Sequence, residues 1–322
     1  MRLEKLSNNF TPLRQGLFFG IETEEAAPTN VLVEIIDDVT EEIVATQQLR
    51  GITAGEVNIA PYIPVSGGYS PATTPHSHLR EAPVATYRIR VGEVESAPIT
   101  VSVNNELPAT LPAIISAMPH SRTISRNESD ELLLLGEEGA IYTARIVADT
   151  GEVLSLETTS VTGATILSIS TEDFGTDIRT LDVELSCEGV SLGSLHYTLR
   201  PRYNSSVRVA WLSHKGSIER YTFPVTSKVQ CASQRGVVER LDKQQVASIS
   251  SVCDITLVSR YESHDTIQAL AEIICSPKVW MEEGGVWSEV VVTSPTLDYN
   301  LFGELDSMSI NIRKWSNKEG AL

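Results

Sequence analysis

Residues 207–224 read VRVAWLSHKGSIERYTFP: two apolar-rich runs joined by a polar turn at Gly216, with Trp211 on one limb and Tyr221 and Phe223 on the other. In an antiparallel hairpin alternate side chains share a face and opposed residues meet across the ladder. Val207, Val209 and Trp211 then fall on one face, where they meet Glu219, Tyr221 and Phe223. Arg208 and Arg220 fall on the other. The aromatics read as one wall of a core rather than a binding platform, with glycine permitting the turn.

Further along, SHDTIQALAEIICSP carries a helix signature. Ser263 or Asp265 suits the N-cap, Ile267, Leu270, Ala271 and Ile274 share a face, and Pro277 ends the run. That face must pack on a sheet, and the sheet containing the opening hairpin is the expected one. Residues 204–322 are therefore expected to form an antiparallel β domain with one packed helix, at about 264–275.

Upstream of this block the apolar period is two almost everywhere, with breaks at Gly, Pro, Asn or Asp every 8 to 12 residues or so. GLFFGIET, NVLVEIID, EEIVATQQL, EVNIAPYI, VATYRIRVG and APITVSVN predict a first β-sandwich over residues 1–106. DELLLLG, AIYTARIVAD, EVLSLETTSV, ATILSIST, RTLDVELSC and LHYTLRP predict a second over 107–203. The hairpin ARIVADTGEVLSLE has the same grammar as VEIIDDVTEEIVAT, so the two sandwiches are expected to be built alike, both Ig-like. Pro108 and Pro112 mark a linker between them. Residues 64–83, PVSGGYSPATTPHSHLREAP, form a long Gly, Ser, Thr and Pro-rich loop, the best candidate for a protruding arm. The fold class is thus mainly β, two sandwiches followed by a sheet with one helix. A chain of 322 residues suits two or three such domains.

Forty-two acidic against twenty-five basic residues give a net charge of −17. Such a surface repels nucleic acid and anionic membrane, so neither is an expected partner. The modest basic cluster at Arg200, Arg202, Arg208 and Lys215 reads as a solvated face or an inter-domain ion-pair surface. The N-terminus has no apolar run of signal-peptide length, and no segment has the roughly 20 apolar residues of a membrane span, so the expectation is a chain made and kept in the cytoplasm or released from it by cell lysis. Cys187, Cys231, Cys253 and Cys275 are too few and too far apart for a disulfide framework and read as small buried hydrophobes.

Catalytic motifs fail on context. GVSLG, residues 189–193, matches GxSxG, but it lies between two strands, whereas a nucleophile elbow turns from strand into helix. Ser263, His264 and Asp265 are adjacent, which no triad geometry allows, and they suit a helix start. Glycine-rich phosphate loops and HExxH are missing, and the pairs Glu41, Glu42 and Glu282, Glu283 lie at turns where they should be solvated. The expectation is a protein with no catalytic residues, no cofactor and no enzymatic activity. His76 and His78, two apart in PHSH, have a spacing suited to a metal, but two imidazoles make an incomplete site. Sequons at Asn9, Asn127 and Asn204 carry no implication without an export signal. Tyr69, His76 and His78 in the long loop, and Trp280 and Trp287 around the turn EEGG, are the candidate interaction residues. The two tryptophans would serve a carbohydrate-binding or receptor-binding adhesin module, the alternative reading.

One resemblance covers roughly the last 120 residues. Trp211 and Leu212, a turn with Gly216, the strand with Glu219, Tyr221 and Phe223, a long paired region, the helix, then Ser276, Pro277, Lys278, Val279 and Trp280, and a final MSINIRKW follow in that order. This resembles the C-terminal domain of structural proteins from tailed phages and prophages of gut bacteria. Their text commonly runs Trp or Phe, Leu, Asn, two variable residues and Gly-Gly before an acidic and aromatic strand, with a later helix followed by Ser-Pro and Val. Ser213 and Ser217 stand here where Asn and the second Gly are usual. The resemblance implies a non-enzymatic virion subunit of the tail, ring or connector type, made in a bacterial host, homo-oligomeric and in contact with other virion proteins.

Overall fold

The computed structural model describes residues 1–24, 27–63, 70–101, 110–240, 243–294 and 305–316, and its fold is mainly β. In the first sandwich the sheet Arg2–Lys5, Phe18–Glu22, Ala54–Asn58 faces a second made of Ile43–Ile52, Thr29–Asp37 and Ala85–Val91, with Val94–Glu95 and Ile99–Val101 paired to the last of these. Alternation explains the layering up to the register shift at Ile35 and Ile36: Val31, Val33 and Ile35 point into a core with Phe19, Ile21, Val57 and Ile89, while Leu32 points out.

The second sandwich repeats this strand order. Ala113–Ile115, Ser129–Leu135 and Ala164–Ser170 form one sheet, and Ser121–Ser125, Val190–Arg200, Thr180–Cys187, Ile141–Ala148 and Val153–Thr159 form the other. Ser121–Ser125 runs parallel to Val190–Arg200, so the first strand of the sandwich switches sheets after Ile115. Tyr142, Ala144, Ile146, Leu181, Val183 and Leu185 fill the space between the sheets. Ser129–Leu135 and Ala164–Ser170 are buried at every position, because both their faces are covered. Leu132, Leu134, Leu167 and Ile169 face the sandwich core, whereas Leu133, Leu135 and Ile166 face the third module. That is why DELLLL and ATILSIS lack alternation.

The third module is a seven-stranded sheet in the order Ile218–Phe223, Val207–Leu212, Val279–Glu283, Val286–Val292, Ser309–Ser316, Lys243–Val258, Val225–Arg240. The opening hairpin has the expected register, with Val207 opposite Phe223, Val209 opposite Tyr221 and Trp211 opposite Glu219. The helix His264–Cys275 packs on this wall: Ile267, Leu270 and Ile273 join Val209, Trp211, Tyr221, Phe223 and Met281 in one core. Its inner face is turned slightly from the expected one, with Ala269 and Ile273 buried in place of Ala271 and Ile274. Ser263 Oγ accepts from Thr266 N at 3.4 Å as the N-cap, and Asp265 sits in the first turn, where the helix dipole favours an acid.

Four expectations are corrected. The linker expected around Pro108 and Pro112 runs directly into a strand, Ala113–Ile115, and the boundary expected near residue 106 lies outside the described residues. The described part of the 64–83 loop does not protrude: His78–Glu81 is a strand of the second sandwich, antiparallel to Ala164–Ser170. Cys231 and Cys253 are disulfide-bonded, directly opposite each other in the long hairpin, and Cys275 is exposed, so of the four only Cys187 is both free and buried. Hairpin register, invisible in cysteine spacing, brings that pair together. Glu282 is buried rather than solvated, its side chain 6 % exposed beside Arg202 and Arg208.

Candidate functional site: an arm junction and a long ribbon

The first site is built around the arm. Strand His78–Glu81 leaves the first sandwich between Ala54–Asn58 and Ala85–Val91 and takes the free edge of Ala164–Ser170. In an immunoglobulin-type sandwich the fourth strand of that sheet comes from the domain itself. Here another module supplies it. Leu79 packs on the sandwich core, Ala82 N donates to Ala164 O at 2.9 Å, and the Glu81 carboxylate accepts from Val161 N and Thr162 Oγ1. Before the strand, Ser77 N donates to Asp173 Oδ2 at 2.6 Å, His76 Nδ1 lies 2.8 Å from Asp173 Oδ1, and Ser170 N donates to Ser77 Oγ. Burial works to raise the Asp173 carboxyl, but the bonds from Ser77 and His76 outweigh it and hold it below the usual aspartate range.

Behind the arm lies a buried layer of charge between the second sandwich and the third module. Arg220 Nη2 donates to Glu131 Oε2 at 2.7 Å, both side chains 1 % exposed, and also to Ala72 O of the arm at 2.8 Å. Arg80 of the arm reaches the other oxygen of Glu131 at 3.0 Å. Arg208 donates to Ser129 O and lies between Glu128 and Glu282. Arg122 bonds Asp130, which also accepts from Tyr197 Oη. Burial pulls the Arg208 guanidinium down, and its acidic neighbours only partly compensate. Glu219 accepts from Ser116 Oγ, Ala117 N and Ser217 Oγ, tying the opening hairpin to the segment that enters the second sandwich.

The candidate residues are distributed as follows. Tyr69 lies outside the described residues. His76 and His78 are in the arm, His78 Nδ1 lying 2.9 Å from its neighbour's carbonyl, and no group of three or more His, Cys, Asp or Glu able to hold a metal occurs among the described residues. Trp280 is 6 % exposed in the apolar cluster with Leu133, Leu135, Ala210 and Leu212, so it offers no stacking face to a sugar. Trp287 is half-buried, with Arg208 and Arg220 each 5.6 Å from its ring and its Nε1 donating to Thr73 Oγ1 of the arm. Ser191 follows a two-residue turn, Glu188 and Gly189, both at positive φ, in a strand-to-strand connection. A shallow groove of about 730 Å³ on the outer face of that sheet is lined by Thr143, Arg145, Ser155, Glu157, Glu184 and Ser191 among others, with no aromatic. The sequence reading missed Glu128, Glu131 and Arg122. Their one signal is an unusual density of acids, NESDE, entering an apolar strand.

The second site is the long hairpin, Val225–Arg240 with Lys243–Val258. Among the described residues, Ser309–Ser316 pairs with it from Ser251 to Val258. Beyond that point, from Gln234 opposite Ser250 to Arg240 opposite Lys243, the two strands pair only with each other among the described residues. The Cys231–Cys253 disulfide sits at the base of this ribbon.

No family model and no curated protein matches the chain. Two solved structures align with it weakly. A tetra-tandem repeat from the extending region of a large adhesion protein is 10 % identical, with 96 % of this chain and 80 % of that one covered at a TM-score of 0.23. A marsupial T cell receptor is 9 % identical, with 98 % and 93 % covered at a TM-score of 0.22. Neither likeness is close enough to carry an argument. None of the helices described is long and apolar enough to cross a membrane.

Proposed function

We propose that the protein is a non-enzymatic structural subunit of a phage or prophage particle, of the tail, ring or connector type, working through protein–protein assembly. One observation carries the assembly reading. Ionisable groups at the module junction are committed to one another, while a 16-residue strand, Val225–Arg240, keeps one edge without a partner among the described residues. Sheet edges of that length are templates for another chain. The virion assignment rests on the resemblance in the last third. A carbohydrate- or receptor-binding adhesin module is the alternative, but Trp280 is buried and Trp287 is held by two arginines and Thr73, so sugar stacking on these two rings is not its basis.

Light scattering of the purified chain over a wide concentration range, with cross-linking to co-encoded proteins, tests this. Concentration-dependent oligomers or specific cross-links are expected. A strict monomer with no affinity for any co-encoded protein would contradict the proposal.

A further inference from the structure

From charge and topology together, we infer that the ribbon, residues 225–240 paired with 243–250, docks on the acidic body of a second copy of this chain. The inference rests on the assembly reading above and names the partner.

Charge argues for this occupant. Residues 225–250 contain Lys228, Arg235, Arg240 and Lys243 against Glu239 and Asp242, net +2 in a chain of −17, which leaves −19 on the rest. A basic ribbon on an acidic body favours contact between unlike surfaces and disfavours ribbon against ribbon. Such head-to-tail contact closes into a ring or runs on as a filament, depending on the rotation per copy.

Topology argues in the same direction. A two-stranded ribbon is marginal in water, and a third strand or a packing surface is what stabilises it. Beyond Ser251 this ribbon has neither a third strand nor a helix against it among the described residues. The disulfide at its base fixes the register before docking, which lowers the ordering cost of binding. Lys228, exposed on the edge strand, and the register shifts between Thr226 and Lys228 and between Gly236 and Val237 are devices by which natural edges resist indiscriminate pairing. An edge guarded in this way, with a charge opposite to the body's, suits one partner rather than many.

Sedimentation velocity of the full chain at low and high salt tests the inference, with two variants. One reverses charge by Arg235→Glu, Arg240→Glu and Lys243→Glu; the other replaces residues 234–250 by an Asn-Gly turn. Circular dichroism and thermal melting check that each is folded. The expected result is self-association of the wild type that weakens at least tenfold with salt and with charge reversal, and disappears on shortening. Unchanged assembly of the shortened chain would overturn the ribbon inference and leave the structural-subunit reading standing. A wild type that stays monomeric yet cross-links to co-encoded proteins also overturns it, as does a ribbon that binds duplex DNA in place of a second copy.

Discussion

Two segments leave their parent modules as extended chain, and they end differently. The arm carries His78–Glu81 from the first sandwich to the edge of Ala164–Ser170, where Asp173, Val161, Thr162 and Glu131 receive it. The ribbon runs out past Ser251 with its own strands as its only ladder partners among the described residues. Every sheet edge presents unpaired amides and carbonyls that need a partner or a guard. The second sandwich receives its edge strand from another module, and the third module's edge strand Val225–Arg240 has no second partner among the described residues. The contrast separates a segment built into a neighbouring module from one whose outer edge has no ladder partner among the described residues.

Four changes would break or sharpen this contrast. The largest effect is expected from replacing residues 70–82 by a Gly-Ser linker. This strips Ala164–Ser170 of one of its two neighbours, removes Leu79 from the core and takes Arg80 from Glu131, a combined loss of more than about 3 kcal/mol. Calorimetry should show the second sandwich melting earlier as a separate transition; an unchanged single transition would make the arm incidental. Next, Arg220→Ala leaves Glu131 with the partly exposed Arg80 as its cation and a 3.5 Å bond from Ser168 Oγ, and should cost about 3 kcal/mol in denaturant titration. Arg220→Met combined with Glu131→Leu should recover part of that loss.

Asp173→Asn is expected to cost about 1 kcal/mol at neutral pH. A carboxyl depressed by folding stabilises above its unfolded pKa, near about 4, and its contribution is lost as pH falls through the lower folded value. Stability of the wild type should therefore fall more steeply than that of the variant below about pH 4, measured as melting temperature against pH. Equal slopes would remove Asp173 as the arm's anchor. The smallest global effect is expected from Cys231→Ser with Cys253→Ser: the main melting transition should hardly move, while amide exchange from residue 232 to 252 speeds up. Faster exchange across the sandwiches instead would tie the ribbon to the body.

Much of this fold was legible because its strands are half-buried. Val31, Val33 and Ile35 alternate with Leu32, which is exposed, and Glu34, until the register shift at Ile36, and the opening hairpin set its own register through Trp211, Tyr221 and Phe223. The helix was legible from its cap and its apolar stripe, to within a small rotation. His78–Glu81 escaped because an edge strand of four residues with one apolar side chain has no period to detect, and its evidence is backbone hydrogen bonding to a distant strand. The buried charges escaped for a related reason. Arg220 and Glu131 look like surface residues until two modules close over them, and only tertiary contact gives each its partner. Trp280 and Trp287 were misleading in the opposite sense, since aromatics beside a Gly-Gly turn look exposed whether or not a neighbouring module covers them.

Amide hydrogen exchange on the intact protein, read at residues 77–82 and at residues 234–250 below and above the self-association midpoint, tests the central claim most directly. The arm strand should be protected to the level of the sandwich core at every concentration. The ribbon should exchange readily in the monomer and become protected on assembly. An arm that exchanges freely, or a ribbon whose exchange does not change when oligomers form, would contradict the account.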